Sequence, residues 1–74
     1  MVRYKVSLET LNDVLDMINK MREADSPVYL TDKDRTKKLG TSSLLSELTA
    51  LDWAEVWVES DDDKLYSLIK EYVI

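Results

Sequence analysis

The sequence predicts an α+β domain, an open-faced sandwich in which a four-stranded antiparallel sheet carries three helices on one face. Segments near both ends of the chain alternate between apolar and polar side chains, as half-buried strands do. Apolar stripes at helical spacing lie between and after these segments. The chain has 74 residues, so residues 1–74 are expected to form a single domain with the element order β-α-β-β-α-β-α.

The first two elements are a strand and the longest helix. The strand is predicted from Val2 to Val6, where Val2, Tyr4 and Val6 share one face. The helix is predicted from Leu8 to Ala24. Its apolar stripe consists of Leu11, Val14, Leu15, Ile18 and Met21.

Polar residues at both ends of this helix predict where it starts and stops. Thr10 is a candidate N-cap with Asp13 three residues later, and Ser7 is the competing cap. Pro27 disfavours helical geometry in the residue before it, so the helix is expected to end at the Asp25-Ser26-Pro27 segment.

A hairpin is predicted next. Val28 to Thr31 forms the second strand, and the polar residues 31–35 form the turn. Thr36 to Leu39 is predicted to return as the third strand, with Lys37 and Leu39 on one side. Gly40 follows, where the chain must turn into the second helix.

The segment from Thr41 to Glu59 reads as a short helix that feeds the last strand. The leucines of the helix are Leu44, Leu45, Leu48 and Leu51. After Asp52 the pattern changes to period two. The residues predicted to face the helices are Ala54, Val56 and Val58, and those predicted to face the open side are Glu55, Trp57 and Glu59. Trp53 is expected to seal one end of the core.

A third helix is predicted at the end of the chain. Its apolar stripe consists of Leu65, Leu68, Ile69, Tyr72 and Val73. Ser60 or Asp61 is expected to cap it, and the aspartates that follow would lie at the positive end of the helix dipole.

Two known topologies share most of this order. One is the ferredoxin-like split βαβ fold. The other is the fold of the phosphocarrier HPr family, which the chain resembles along nearly its whole length. The segment Ser43-Leu44-Leu45-Ser46-Glu47-Leu48 is similar to the family's Ser-Ile-Met-Gly-x-Met segment, which opens a short second helix.

The resemblance implies a scaffold without the family's chemistry. The family carries a histidine, an arginine and a proline in the turn after the first strand, where this chain reads Ser7-Leu8-Glu9-Thr10-Leu11-Asn12. Phosphohistidine transfer is therefore not expected. The family's regulatory serine corresponds to Ser43, which is a candidate phosphorylation site. The competing interpretation makes Ser42 or Ser43 a simple N-cap.

Charges on the first and last strands are complementary. In the HPr family these strands are neighbours, and in a ferredoxin-like sheet they also touch. Arg3 and Lys5 would then face Glu55 and Glu59 across the open side. Such cross-strand pairs contribute from a few tenths to about 1 kcal/mol each.

Composition narrows the function classes. The chain has no cysteine and no histidine, so disulfides, thiolate metal sites and the commonest general base are excluded. No catalytic residue, metal or cofactor is expected, and an enzyme ranks lowest. The net charge of −5 disfavours nonspecific nucleic-acid binding. No apolar run approaches membrane-spanning length and no signal-peptide core appears, so we expect a cytoplasmic protein that binds no membrane.

The open face is the candidate contact surface. Trp57 and Tyr29 are expected there, flanked by Glu55 and Glu59, and exposed aromatic residues are enriched at the centres of interfaces. Two alternatives compete for Trp57. In the first, its ring lies flat across neighbouring side chains and is covered by lysine stems. In the second, the phase of the strand is reversed and the ring lies in the core.

Two charged clusters have competing interpretations. The basic cluster, Lys33, Arg35, Lys37 and Lys38, either touches a phosphate or acidic partner or guards an edge strand against pairing. The acidic clusters, Asp61 to Asp63 and Asp32 with Asp34, carry the oxygens that calcium prefers. Neither has the EF-hand pattern, so an acidic first turn and a polar hairpin are the favoured interpretations.

These observations predict a non-catalytic, HPr-like protein that serves as an interaction or regulatory module. Its partner would be another protein, with a homodimer as a special case. The alternative is a small acidic inhibitor or nucleic-acid mimic of the phage or mobile-element type, which size and charge alone suggest.

Overall fold

The computed structural model describes residues 1–40 and 49–74. In chain order the elements are β1 (Val2–Val6), α1 (Leu11–Met21), β2 (Val28–Thr31), β3 (Lys38–Leu39), a 3₁₀ turn (Thr49–Asp52), β4 (Val56–Ser60) and α2 (Leu65–Ile69). The predicted α+β class with a four-stranded antiparallel sheet is confirmed. The described segments hold two α-helices rather than three, because the predicted second helix falls mainly on residues 41–48, outside them, and its last residues form the 3₁₀ turn.

The sheet has the strand order β1-β4-β2-β3, and every neighbouring pair is antiparallel. β1 and β2 are therefore parallel to each other, joined through α1, with β4 inserted between them. Val58 of β4 is opposite Tyr4 of β1 on one side and Leu30 of β2 on the other. Because β4 is bonded along both edges, its phase decides which side chains face the helices across the whole sheet.

The core lies between one face of the sheet and the two helices. Its sheet residues are Val6, Val28, Leu30, Val56 and Val58, and its other members are Met17, Met21, Ala50, Leu65 and Ile69. Trp53 packs against the edge of this core, as predicted. The alternation of β4 thus places its valines inside, where burial of each side chain stabilises the fold by about 1.5–3 kcal/mol.

The prediction that Ala54 is buried is wrong. Ala54 is exposed, and β4 begins only at Val56. The reason is pairing: β1 reaches β4 no further than Val6 opposite Val56, and β2 no further than Thr31 opposite Trp57. Residues before Val56 have no strand beside them and leave the sheet.

Helix α1 is shorter than predicted, but its start is confirmed. The Thr10 side chain accepts a hydrogen bond from the Asp13 amide, and the Asp13 carboxylate accepts one from the Thr10 amide, which together form a capping box. Beginning at this cap leaves the predicted stripe residue Leu11 exposed. The buried stripe instead consists of Val14, Met17, Ile18 and Met21, so the sequence analysis missed Met17.

Strand β3 is also shorter than predicted, since it contains only Lys38 and Leu39. The Asp32 carboxylate accepts hydrogen bonds from the Thr36 hydroxyl and, at 3.2 Å, from the Lys37 amide. These bonds use the Thr36 hydroxyl and the Lys37 amide to close the turn. Beyond the last strand pair, the Asp32 amide still donates to the Lys37 carbonyl at 3.4 Å. We call residues 32–37 the hairpin loop.

Lys64 occupies the N-cap position of helix α2 and no side chain of the described residues caps it, so the predicted cap at Ser60 or Asp61 is wrong. The turn that leads into the helix is held by Asp62. One Asp62 oxygen accepts from the Lys64 amide at 2.9 Å, and the other accepts from the Asp25 amide at 2.8 Å. These hydrogen bonds, first that from Lys64 and then that from Asp25, hold the pKa of the Asp62 carboxyl below its ordinary value. Asp62 therefore joins the start of α2 to the connection between α1 and β2.

The predicted third helical stripe ends early, because the chain leaves α2 and turns onto β1. The Ser7 amide donates to the Tyr72 carbonyl at 2.9 Å, and the Ile74 amide donates to the Lys5 carbonyl at 3.0 Å. Val73 thus forms an antiparallel bridge with Val6 at the outer edge of β1.

Side chains also tie this end of the chain to α1. The Tyr72 hydroxyl donates to the Asp16 carboxylate at 2.5 Å, which raises the pKa of Tyr72 well above its ordinary value. The Lys20 ammonium lies 2.7 Å from the Glu71 carboxylate. The hydrogen bond to Glu71 raises the pKa of Lys20. These two contacts fix α2 against α1 at the edge of the core.

The hydrogen bonds of the Asp62 carboxylate predict a pH-dependent stability. A carboxyl whose pKa is lower in the folded protein than its unfolded value of 3.8 stabilises the fold above that pH and loses this contribution as the pH falls. Asp62→Asn should therefore lower the free energy of unfolding at about pH 7, and the difference from wild type should shrink toward about pH 2.5. Urea denaturation across this pH range measures the difference in the free energy of unfolding, with a variant of the exposed Asp63, Asp63→Asn, as control. A difference that stays constant with pH would contradict the assignment.

Candidate interaction surface

The face of the sheet opposite the helices carries polar and aromatic side chains. They lie in two cross-strand rows, Arg3–Glu59–Tyr29 and Lys5–Trp57–Thr31. We call these six residues, together with Glu55 just before β4, the open face. The four predicted contact residues, Tyr29, Glu55, Trp57 and Glu59, all belong to it.

Trp57 lies on the open face, as predicted, because its neighbours Val56 and Val58 are buried in the core. The reversed phase is therefore wrong. The ring is not freely exposed, since the Arg3 guanidinium carbon lies 4.4 Å from its centroid. The indole nitrogen is buried and has no hydrogen-bond partner among the described residues. The ring thus lies flat under a cationic side chain, although that side chain belongs to an arginine rather than a lysine.

Arg3 spans the sheet from β1 to the chain that follows β2. Its Nη2 atom lies 3.2 Å from the Thr31 hydroxyl, 2.9 Å from the Asp32 carbonyl oxygen and 3.1 Å from the Lys33 carbonyl oxygen. A guanidinium offers several donors in a fixed plane, which allows it to serve more than one acceptor while it stacks on an aromatic ring. Arg3 therefore connects β1, β4 and the hairpin loop.

Glu59 provides the negative charge that faces the Arg3 guanidinium. Only 4% of its side chain is exposed. Its Oε1 atom lies 4.0 Å from Arg3 Nε and 3.5 Å from Arg35 Nε, and it accepts no hydrogen bond from the described residues. A buried carboxylate requires a nearby positive charge, so two guanidinium groups on one carboxylate satisfy that need and leave one positive charge unbalanced.

Glu55 forms a second, more exposed cluster. Its carboxylate lies 2.8 Å from Lys5 Nζ and 4.0 Å from Lys33 Nζ. The hydrogen bond from Lys5 holds the pKa of Glu55 below its ordinary value, with smaller contributions from the charges of Lys5, Lys33 and Arg3. The predicted pairing of Arg3 and Lys5 with the two glutamates is confirmed.

The hairpin loop partly covers the open face, which the sequence analysis did not predict. Lys33 reaches Glu55, and Arg35 reaches Glu59, so the loop folds back from the end of β2 over the sheet. Arg35 has a φ of 60°, in the left-handed region that side-chain-bearing residues rarely adopt. The turn at Arg35 aims its side chain at Glu59, and the remaining loop is held by Asp32 and Arg3.

Lys33 and Arg35 are more exposed than the carboxylates that they contact. Their side chains are 71% and 58% exposed, compared with 25% for Glu55 and 4% for Glu59. Lys38 lies over the Tyr29 ring, with its Nζ 4.4 Å from the ring centroid. A molecule that approaches the open face therefore meets three cations against one exposed carboxylate of the hairpin loop, Asp34. The local charge is thus positive, although the whole chain carries a net charge of −5.

The edge-protection interpretation of the basic cluster fits Lys38 but not Lys33 or Arg35. Lys38 lies on the edge strand β3, where a charge opposes pairing with another chain. Lys33 and Arg35 are not on a strand, so edge protection does not explain them. Lys37 lies 5.7 Å from the centroid of the Trp53 ring, beside a shallow cleft of about 300 Å³ between the hairpin loop and residues 52–55.

The predicted phosphorylation site and the acidic clusters remain to be placed. Ser43, the predicted phosphorylation site, lies outside the described residues. Within residues 1–40 and 49–74, no group of three or more acidic side chains is arranged to hold a metal ion. Asp32 and Asp62 instead accept hydrogen bonds from backbone amides, which supports the polar-hairpin and acidic-turn interpretations.

Three residues of this surface were missed as site residues: Arg3, Thr31 and Arg35. Arg3 was predicted only as a partner of the glutamates, and its reach to the loop carbonyls had no local signal. Thr31 was assigned to the strand alone, yet it is fully buried and accepts from Arg3. Arg35 was placed in the basic cluster, without its contact to Glu59.

Comparison of the chain with protein-family models, with curated proteins and with solved structures finds no match. In the part of the chain that the structure describes, no helix combines the length and apolar character needed to cross a membrane.

The two glutamates should differ in their effect on stability. Glu59→Gln removes the counter-charge of Arg3 at a covered site, and we expect the free energy of unfolding to fall by roughly 2–4 kcal/mol. Glu55→Gln is the matched control, because it removes the same charge from a more exposed pair and should cost less. Urea denaturation at neutral pH compares the two variants. Equal losses would show that the covered carboxylate has no special role.

Proposed function

We propose that this chain is a non-catalytic, HPr-like interaction module that binds an acidic segment of another protein through the open face and the hairpin loop. The observation that carries the proposal is the difference in exposure between the charges of this surface. The cations Lys33 and Arg35 face solvent, whereas Glu59 is covered and Glu55 is 25% exposed. Asp34 is the one exposed carboxylate of the hairpin loop.

The HPr-like fold in this proposal is supported by the arrangement of the strands and helices. β1 lies beside β4, both helices pack on the same face of the sheet, and the turn before α1 lacks an imidazole. The adjacency of β1 and β4 is common to the HPr and ferredoxin-like layouts. The similarity of Ser43–Leu48 to the HPr segment is what favours the former.

A protein segment suits this surface better than a nucleic acid. The exposed cations are few and grouped around one loop, so a short acidic stretch is matched by them. A long polyanion would also approach the carboxylates elsewhere on the molecule, which repel it. Exposed carboxylates outside the open face and the hairpin loop are Glu9, Asp16, Glu23, Asp25, Asp52, Asp61, Asp63 and Glu71.

Those carboxylates are the observation that favours a second candidate, the acidic inhibitor or nucleic-acid mimic. Several of them already face cations. Glu71 lies 2.7 Å from Lys20, Asp25 lies 3.9 Å from Lys64, and Asp61 lies 3.8 Å from the terminal ammonium group. Mimicry of a phosphate backbone needs unneutralised charge, so this candidate ranks second.

Peptide titration followed by NMR of the ¹⁵N-labelled protein tests the proposal. An octaglutamate peptide should shift the amide signals of the hairpin loop and of Lys5, and the affinity should fall as salt is raised. An octalysine peptide serves as the opposite probe. Binding of octalysine at Asp61 and Asp63, without binding of octaglutamate, would replace the proposal with the second candidate.

Charge-matched double variants locate the contact. Lys33→Gln with Lys38→Gln should weaken octaglutamate binding at least about fivefold, since each exposed ion pair contributes up to about 1 kcal/mol. Lys64→Gln with Lys70→Gln removes the same charge from the helical side and should change the affinity by less than about twofold. Equal weakening by both would show that net charge alone, not the open face, drives binding. Sedimentation of the free protein identifies self-association as the alternative use of this surface.

A further inference from the structure

We propose that Arg35 is the residue that binds the carboxylate of the acidic segment, and that it does so by leaving Glu59. This inference rests on the proposed function and assigns its central contact. The ligand class is a carboxylate from a peptide or protein, bound by both outer nitrogens of the Arg35 guanidinium.

The two guanidinium groups near Glu59 differ in how firmly they are held. The Arg3 side chain is 20% exposed, stacks on Trp57 and donates to three oxygens of Thr31 and the hairpin loop. The Arg35 side chain is 58% exposed, and its charged partner is Glu59, 3.5 Å from Nε. Arg3 is therefore a structural member of the surface, whereas Arg35 has donors available for a ligand.

The charge balance allows Arg35 to leave. Glu59 carries one negative charge and faces two guanidinium groups. When Arg35 turns outward, Arg3 remains 4.0 Å from the Glu59 carboxylate and still compensates it. The covered carboxylate is therefore not left without a cation, and the spare positive charge of the pair is the one offered to solvent.

The backbone of the hairpin loop is fixed on both sides of Arg35. The Arg35 amide donates to the Asp32 carbonyl at 3.3 Å, the Lys37 amide donates to the Asp32 carboxylate, and Arg3 holds the carbonyls of Asp32 and Lys33. The left-handed φ of 60° at Arg35 is maintained within this frame. The side chain can thus move between Glu59 and a ligand while the loop keeps its shape, which limits the entropy lost on binding.

The proposed contact with the ligand carboxylate requires the guanidinium of Arg35, and a lysine ammonium is not equivalent. The planar guanidinium forms two parallel hydrogen bonds with one carboxylate, whereas lysine offers a single flexible point charge. Arg35→Lys keeps the charge and removes the fork. Arg35→Gly removes both, and glycine adopts the left-handed conformation without steric penalty, so this variant is expected to fold.

Fluorescence anisotropy of a fluorescein-labelled octaglutamate peptide tests the inference, with the full chain in every variant. Relative to wild type, Arg35→Gly should bind about tenfold more weakly and Arg35→Lys roughly threefold more weakly. Lys70→Gln, an exposed cation on the helical side, is the control and should stay within about twofold. Circular dichroism and thermal unfolding confirm that each variant is folded, and an octaglutamine peptide shows that binding requires the carboxylates.

The outcomes separate the two proposals. If wild type binds octaglutamate no better than octaglutamine, the proposed function fails and this assignment fails with it. If wild type binds octaglutamate and the folded Arg35→Gly variant binds equally well, the proposed function stands and the assignment to Arg35 is overturned. If Arg35→Lys binds as tightly as wild type while Arg35→Gly is weakened, a point charge suffices and the two-nitrogen contact is overturned.

Discussion

The structure of the open face depends on the Arg3 guanidinium, which lies over Trp57 beside the covered carboxylate of Glu59. Glu59 is on the central strand, so its charge is enclosed by both neighbouring strands and by the hairpin loop. A carboxylate in that position is costly unless a cation accompanies it. Arg3 supplies the cation, and its Nη2 atom donates to the carbonyls of Asp32 and Lys33. The Arg3 side chain thereby compensates the charge of Glu59, covers the Trp57 indole and holds the hairpin loop through hydrogen bonds.

The arrangement of this surface follows from the packing of the core on the other side of the sheet. Val56 and Val58 are buried against the helices, and alternation along β4 then places Trp57 and Glu59 on the opposite face. The pairing of β4 with β1 brings Arg3 opposite Glu59. Hydrophobic burial therefore fixes the register, and the register fixes which charges meet. Each of the exposed cations Lys33 and Arg35 is paired with a less exposed carboxylate, Glu55 or Glu59.

Much of this could be predicted from the sequence, since strand periodicity and cross-strand charge complementarity are local patterns. These patterns predicted the antiparallel sheet, the position of Trp57 on the open face, and the pairing of Arg3 and Lys5 with the two glutamates. The hairpin loop was not predictable in the same way. Its fold-back depends on contacts such as that of Arg3 with Thr31, 28 residues apart. The turn before α2 likewise depends on Asp62 accepting from the Asp25 amide, 37 residues away. Ala54 was misplaced because periodicity does not show where partner strands end.

The most direct test of this account is an NMR measurement of the Arg3 side chain in the intact protein at neutral pH. If the guanidinium is stacked on the indole and bonded to the loop, the Arg3 Nη2 protons should exchange slowly, and the Arg3 Cδ protons should be shifted upfield by the Trp57 ring. Nuclear Overhauser contacts should connect the Arg3 side chain to both Trp57 and Thr31. Rapidly exchanging Nη2 protons, with Cδ shifts at their unfolded values and no contact to the ring, would contradict the role given to Arg3.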